Sequence, residues 1–232
     1  MAQICVNDIL IEVEHKDIKN IHLSVYPPGG RVHISAPLIM SIESIRLYAI
    51  TKLIWIEKQI EIFQNIERQS PRRYVSGENY YYKGQRYRLK VIYDNNISPK
   101  IQIRGAKYIY LYIRENTSLV KRGEILREWY RKELKELLPL YIAKWEEILN
   151  VKANGWEVKQ MRTKWGSCNT RTRRLLFNLE LMKKPLLCIE YIVVHELAHL
   201  LERNHNERYK MILNAYFPQW KKFKEELNDF IV

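Results

Sequence analysis

Cysteine is scarce in this 232-residue chain: Cys5, Cys168 and Cys188 are an odd count with no CxxC spacing. That argues against a disulfide scaffold and fits a reducing compartment. Glycine and proline number eight each, too few for a linker-rich or low-complexity chain. No apolar run approaches the ~20 residues of a membrane-spanning helix. The opening MAQICVNDILIEVEHKDIKN has early acids and no basic start followed by an apolar stretch of signal-peptide length. The expectation is a cytoplasmic protein with no membrane partner. Acidic residues are also short, 26 Asp plus Glu against 39 Lys plus Arg, for a formal charge of +13. Such a surface attracts anionic substrates and polyanions, nucleic acid among them, unless the charges are spread over solvated faces.

What is present is core-forming material: 47% of residues are hydrophobic, enough for one large domain or two small ones. No sequence repeat is evident. Alternation predicts strands at 9–13, 21–26 and 31–35, the last two joined by the turn Pro27-Pro28-Gly29-Gly30. Ser41 begins a helical pattern that must stop before Pro71. Strands return at 80–82, 87–93 and 108–113. Their tyrosines read as one face of a half-buried sheet, with a base-stacking surface as the alternative. A helix spans about 120–150 around Pro139. Strands at 156–159, 164–168 and 175–179 follow. Pro185 then suits the first turn of a helix running to about Arg203, and two further helices cover 206–215 and 220–231. A soft boundary near residue 118 divides the chain into a β-rich region, 1–118, and a second domain, 119–232.

Chemistry concentrates in Val194-His195-Glu196-Leu197-Ala198-His199-Leu200. Residues four apart on a helix share a face, so His195 and His199 can reach one ion. Glu196, one step round, can touch a water beside that ion without being a ligand. The flanking residues are apolar, which buries the helix and makes unpartnered polar side chains on it costly. A metal relieves that cost. A catalytic zinc needs a third protein ligand, and His205 is the best candidate. On a continuous helix it would face away, so the helix must break, with Arg203-Asn204 as the expected place and Asn206 and Glu207 opening the next segment. Glu225 is a weaker substitute ligand, Glu202 a residue of the site's surroundings, and Cys168 a buried strand thiol. Three imidazoles suit Zn2+, and Ni2+ or Fe2+ would also accept them. Glu196 would be the catalytic base.

At these residues the sequence resembles the YgjP-like metal-dependent hydrolases, relatives of the SprT-like and other zincin metallopeptidases. His195-Glu196-Leu197-Ala198-His199 with Asn204-His205 carries one part of the likeness. Met161-Arg162-Thr163-Lys164-Trp165-Gly166-Ser167-Cys168 carries the other, and the Asn178 strand fits. These features cover about residues 120–230, and the first half looks like the family's N-terminal part. The resemblance implies a zincin arrangement: an active-site helix beside a small sheet, three histidine ligands and a glutamate base. The His199–His205 spacing is similar to that of metzincins, but Glu202 stands where they have glycine. Members are usually labelled metallopeptidases, and nucleoside-triphosphate pyrophosphatase activity has been attributed to one. The expected fold class is α+β: a β-rich N-terminal region with one long helix, then helix, small sheet, HExxH helix and C-terminal helices.

Residues 159–174 hold six cations and no acid. If Arg162 and Lys164 share one face of a strand edging the site, opposite Met161 and Trp165, and Gly166 and Ser167 let backbone approach closely, then Arg162, Lys164, Trp165, Gly166 and Ser167 form the substrate-binding rim. Such a rim suits an acidic peptide, a nucleotide or a protein on DNA, or it is a solvated hairpin. Three functions therefore compete: a zinc metallopeptidase, a nucleoside-triphosphate pyrophosphatase using the same metal, and a basic nucleic-acid-binding module with a structural metal.

Overall fold

A computed structural model describes residues 2–26, 29–65, 72–161 and 163–229. The expected turn residues Pro27 and Pro28, the helix stop at 66–71, Arg162 and the last residues, 230–232, lie outside the described residues. The fold is mixed α+β. Contacts divide the chain into two compact units, Met1–Pro71 and Arg72–Val232, and the composition change near residue 118 falls inside the second.

In the first unit, strands β1 (Ala2–Val6), β2 (Ile9–Lys16), β3 (His22–Tyr26) and β4 (Arg31–Pro37) form a sheet of order β1-β2-β4-β3, with β2 and β4 parallel. Strand β1 was not expected. It is turned by Asn7 and Asp8, both at positive φ, the backbone of a two-residue hairpin. Helices α1 (Ile42–Thr51) and α2 (Leu53–Asn65) follow. Ser41 caps the first, its Oγ accepting from the Ser44 N–H at 3.2 Å. The expected single helix is interrupted at Lys52, whose N–H turns back to the Ala49 carbonyl.

The second unit opens with the same topology. Strands β5 (Asn79–Tyr82), β6 (Gln85–Tyr93), β7 (Lys100–Arg104) and β8 (Tyr108–Ile113) pair in the order β5-β6-β8-β7, again with a central parallel pair. The two sheets repeat each other in topology although their sequences do not. The long helix α3 (Leu119–Ile148), capped by Ser118, runs through Pro139. Its Leu134 and Leu138 are fully buried.

A three-stranded sheet then forms from β9 (Gly155–Lys159), β10 (Gly166–Asn169) and β11 (Arg174–Asn178), with β11 central and β10 at one edge. A 3-10 turn, Leu179–Lys183, leads into α4 (Leu186–Ala198), α5 (Glu207–Tyr216) and α6 (Trp220–Asp229). Leu179 thus opens the 3-10 turn instead of closing the strand. Among the described residues no helix is long and apolar enough to cross a membrane.

Two fixtures set the position of α4. The Lys83-Gly84 turn between β5 and β6 donates its N–H groups to the carbonyls of Met182 and Lys183. It packs so tightly that a Cβ on Gly84, itself at φ +80, would lie 2.8 Å from Pro185 Cγ. Further along, the nearly buried Glu190 of α4 accepts from Trp145 Nε1 at 2.8 Å and from Lys144 Nζ at 2.7 Å, both on α3. Buried carboxylates persist when so paired.

Candidate active site

Helix α4 is apolar nearly all round, LLCIEYIVVHELA, with ten buried residues. That is the pattern of a core helix whose polar members need a purpose. Its last turn carries His195 and Glu196, and His199 caps its C-terminus. The helix ends at Ala198, a turn earlier than the expected break at Arg203-Asn204. The reason is local: the N–H groups of Leu200 and Leu201 bond back three residues, to Leu197 and Ala198, tightening the end into 3-10 geometry. Asn204 is not among the left-handed residues. The chain reverses through 203–206, and Asn206 caps α5 by accepting from the Tyr209 N–H at 3.0 Å.

This reversal brings His205 back over the helix end. The ring centroids of His195, His199 and His205 lie 5.1, 5.0 and 4.6 Å apart in pairs. Their ligand nitrogens all fall within 4.8 Å of one another. His195 Nε2 and His205 Nε2 are 3.1 Å apart; two imidazoles on one tetrahedral ion at about 2.0–2.1 Å would stand roughly 3.3 Å apart. The outer nitrogens are engaged elsewhere. His199 Nδ1 lies 3.2 Å from the Glu202 carbonyl, which can only accept, so the proton sits on Nδ1 and the Nε2 lone pair is left for an ion. His195 Nδ1 lies 3.4 Å from the Tyr191 hydroxyl. Burial holds all three imidazoles below the usual histidine range, His195 down to about 3. Neutral imidazole is the form that ligates. The donor set therefore fits a divalent cation.

Glu196 is buried at 4% exposure. Burial pushes its carboxyl up to about 8, with Lys164 opposing. It lies against β10: a Cβ on Gly166 would be 2.5 Å from Glu196 Oε1 and 2.8 Å from Cγ. Gly166 is thus required by the carboxylate's position. An open cleft of about 960 Å³ runs between β10 and α4, lined by Lys164, Trp165, Gly166 and Ser167 together with the histidines and Glu196. Strand β10 begins only at Gly166, so Lys164 and Trp165 belong to the loop before it, and strand alternation does not orient them. Asn178 holds that loop: its amide donates to the carbonyls of Met161 and Lys164 at 3.0 and 2.7 Å, and its N–H reaches the Trp165 carbonyl. The other charged groups of the cleft among the described residues are Arg171, Arg203 and Lys224, so Glu196 is the only acid among them.

Glu202 braces the loop, holding His199 through its carbonyl and the Asn204 N–H through its carboxylate at 3.2 Å. Glu225 is not part of the histidine cluster. Cys168 lines the cleft as a thiol pushed up to about 11 by burial. Two tyrosines escaped the sequence reading. Tyr209 stacks on His199 at 4.8 Å and donates to the His195 carbonyl at 3.0 Å. Tyr191 sits one turn before His195, a spacing that could have identified it.

A family model described as "YgjP-like, metallopeptidase domain" matches residues 19–230. No curated protein matches the chain. Among solved structures, the metallopeptidase zymogen jannalysin of Methanocaldococcus jannaschii is similar at 22% identity over 38% of this chain and 89% of that one, with a TM-score of 0.34. The zymogen abylysin of Pyrococcus abyssi is similar at 15% identity over 38% and 88%, with a TM-score of 0.35.

Proposed function

The chain belongs to the YgjP-like family of metal-dependent hydrolases, and from that premise we propose that it is a zinc peptidase whose metal is held by His195, His199 and His205 and whose proton-transfer residue is Glu196. The observation that carries this reading is the convergence of three imidazoles beside one buried carboxylate in an open cleft. A zinc ion held by three imidazoles supplies Lewis acidity and a water of lowered pKa, roughly 7 in enzymes of this kind. The positive charge of an ion at the imidazoles would favour the ionised form of Glu196, whose carboxylate takes the proton of the attacking water and delivers it to the amide nitrogen that leaves. Tyr191 and the Glu202 carbonyl hold the outer nitrogens of His195 and His199 and so keep those rings aimed.

Among the described residues strand β10 pairs with β11 on one side only, and all four of its residues line the cleft. An extended peptide can add to its open edge through main-chain hydrogen bonds, leaving side chains to Lys164, Trp165 and their neighbours. Lys164, Arg171, Arg203 and Lys224 favour acidic residues on that peptide. No fourth histidine, cysteine or carboxylate joins the cluster among the described residues. That supports a catalytic over a structural metal, since structural zinc sites close with four protein ligands. The same cations could receive a triphosphate, but the strand edge favours a peptide. The test is cleavage of an unstructured protein by the purified chain, abolished by chelator and restored by zinc, with nucleoside triphosphates as a parallel substrate. Absence of metal-dependent proteolysis across varied unstructured substrates would overturn the peptidase reading. Metal analysis of the same preparation decides among zinc, nickel and iron.

A further inference from the structure

The sheet β5–β8 has one face packed into the core and one left open. Along β8, Ile109, Leu111 and Ile113 are fully buried, while Tyr108, Tyr110 and Tyr112 alternate to the other side and are half-buried. The register places cations around these rings. Arg88 and Lys90 of β6 pair with Tyr108 and Tyr110, and Lys100 and Arg104 of β7 pair with Tyr112 and Tyr108. Arg86, two residues before Arg88, shares their face. No Asp or Glu occurs in any of the four strands. None of these five cations is ion-paired to a carboxylate among the described residues. Three of them lean on the rings instead: Lys90 Nζ is 4.0 Å from the Tyr108 centroid, Lys100 Nζ 5.3 Å from Tyr112, and the Arg104 guanidinium 5.3 Å from Tyr110. Tyr110 and Tyr112 stack at 6.4 Å. None of these residues lines the metal cleft.

From this arrangement we propose that the open face of the β5–β8 sheet is a binding site for single-stranded nucleic acid. The ladder Tyr108, Tyr110, Tyr112 supplies π-surfaces for unstacked bases, and the surrounding cations supply partners for the phosphates. The cations now over the rings are long and flexible, so they can swing to phosphate oxygens as bases replace them on the aromatic faces. A duplex has its bases already stacked and can use only the charge. An acidic protein can likewise use only the charge and leaves the tyrosines without a role. The aromatic ladder and the lack of acids within the four strands therefore favour one occupant, a single strand.

The test is fluorescence anisotropy of the metal-loaded full chain with labelled oligouridylate and oligothymidylate, against a duplex of equal length and an oligoglutamate. Both single strands are expected to bind more tightly than duplex or oligoglutamate. Replacing Tyr110 and Tyr112 together by alanine should weaken binding about tenfold or more, whereas Tyr110→Phe, which keeps the ring, should not. Lys100→Glu with Arg104→Glu, at exposed positions, should weaken binding and flatten its dependence on salt even if the tyrosine double variant fails to fold. Duplex or oligoglutamate bound as tightly as the single strands overturns the proposal. So does a folded tyrosine double variant that binds like the parent, or no binding at low salt. These residues do not line the cleft, so peptide cleavage should be unchanged in the folded variants and the outcome is separate from that of the peptidase reading.

Discussion

Gly166 and Glu196 are bound by a steric relationship: the strand passes the carboxylate with no room for a methyl group, a Cβ at Gly166 falling 2.5 Å from Glu196 Oε1. Gly166→Ala must push either β10 or the carboxylate aside. Displacement of a reacting group by about 1 Å can cost on the order of 100-fold in rate. Activity of that variant should fall by about that factor with metal content unchanged, read by peptide cleavage and metal analysis on one preparation. Full activity in Gly166→Ala would separate the glycine from the chemistry.

Glu196→Gln keeps the shape of the side chain and removes the proton acceptor. With the three imidazoles as the proposed ligands, metal content should stay at the parent level while kcat drops by about 10²–10⁴. Loss of metal together with activity would instead make Glu196 part of the ion's coordination.

Tyr209 supports the histidines from behind, and its two contacts can be separated. Tyr209→Phe removes only the hydrogen bond to the His195 carbonyl, a change worth about 1 kcal/mol. Tyr209→Leu also removes the ring stacked on His199. It should lower zinc affinity by roughly 10-fold or more, as loss of a ligand's supporting partner does. Competition with a chromophoric chelator measures the difference. Equal zinc affinity in both variants would leave the stack without a role.

The motif and its consequence were readable in the chain because they depend on local spacing. A buried helix with histidines four apart, followed after six residues by another histidine, requires a reversal, and Asn206 announces the next helix. The place of the reversal was not readable. It depends on 3-10 bonding after Ala198, which leaves no mark as plain as a glycine. The rim was half readable: Trp165 to Ser167 do line the cleft, but the start of β10 is set by Asn178, a residue far along the chain that holds Met161 and Lys164 by their carbonyls. The repeated sheet topology was hidden because the strands share their order and not their residues. Tyr209 was hidden because its place beside the histidines follows from the reversal itself.

Charge should decide substrate preference. Among the described residues, Lys164, Arg171, Arg203 and Lys224 face the cleft with only Glu196 to oppose them. Peptides with Glu or Asp around the cleaved bond should have the lower KM, and the advantage should shrink as salt rises. Arg171→Glu with Lys224→Glu should reverse the preference at little cost in kcat. Retention of the acidic preference in that double variant would assign it to other groups.

Lys184 provides a pH test of the cleft wall. It is fully buried behind Trp165, its Nζ 4.9 Å from the indole centroid and 3.5 Å from the Leu227 carbonyl. Burial lowers its pKa to about 8; Cys188, Glu180 and Glu226 pull the other way, and Lys183 adds to the lowering. The unfolded chain would hold this proton up to about 10.4. Below pH 8 both states are protonated, and the folded state bears the full cost of the buried charge. Between pH 8 and 10.4 the unfolded state binds more protons than the folded one, so this group's contribution to stability rises with pH. Lys184→Met has no such titration. Measured by denaturant midpoints, the stability of the parent relative to Lys184→Met should therefore increase from pH 7 to pH 9.5, by on the order of 1 kcal/mol. A gap that stays constant across that range would mean that Lys184 keeps an ordinary pKa, and that the wall behind Trp165 is wetter than its burial implies.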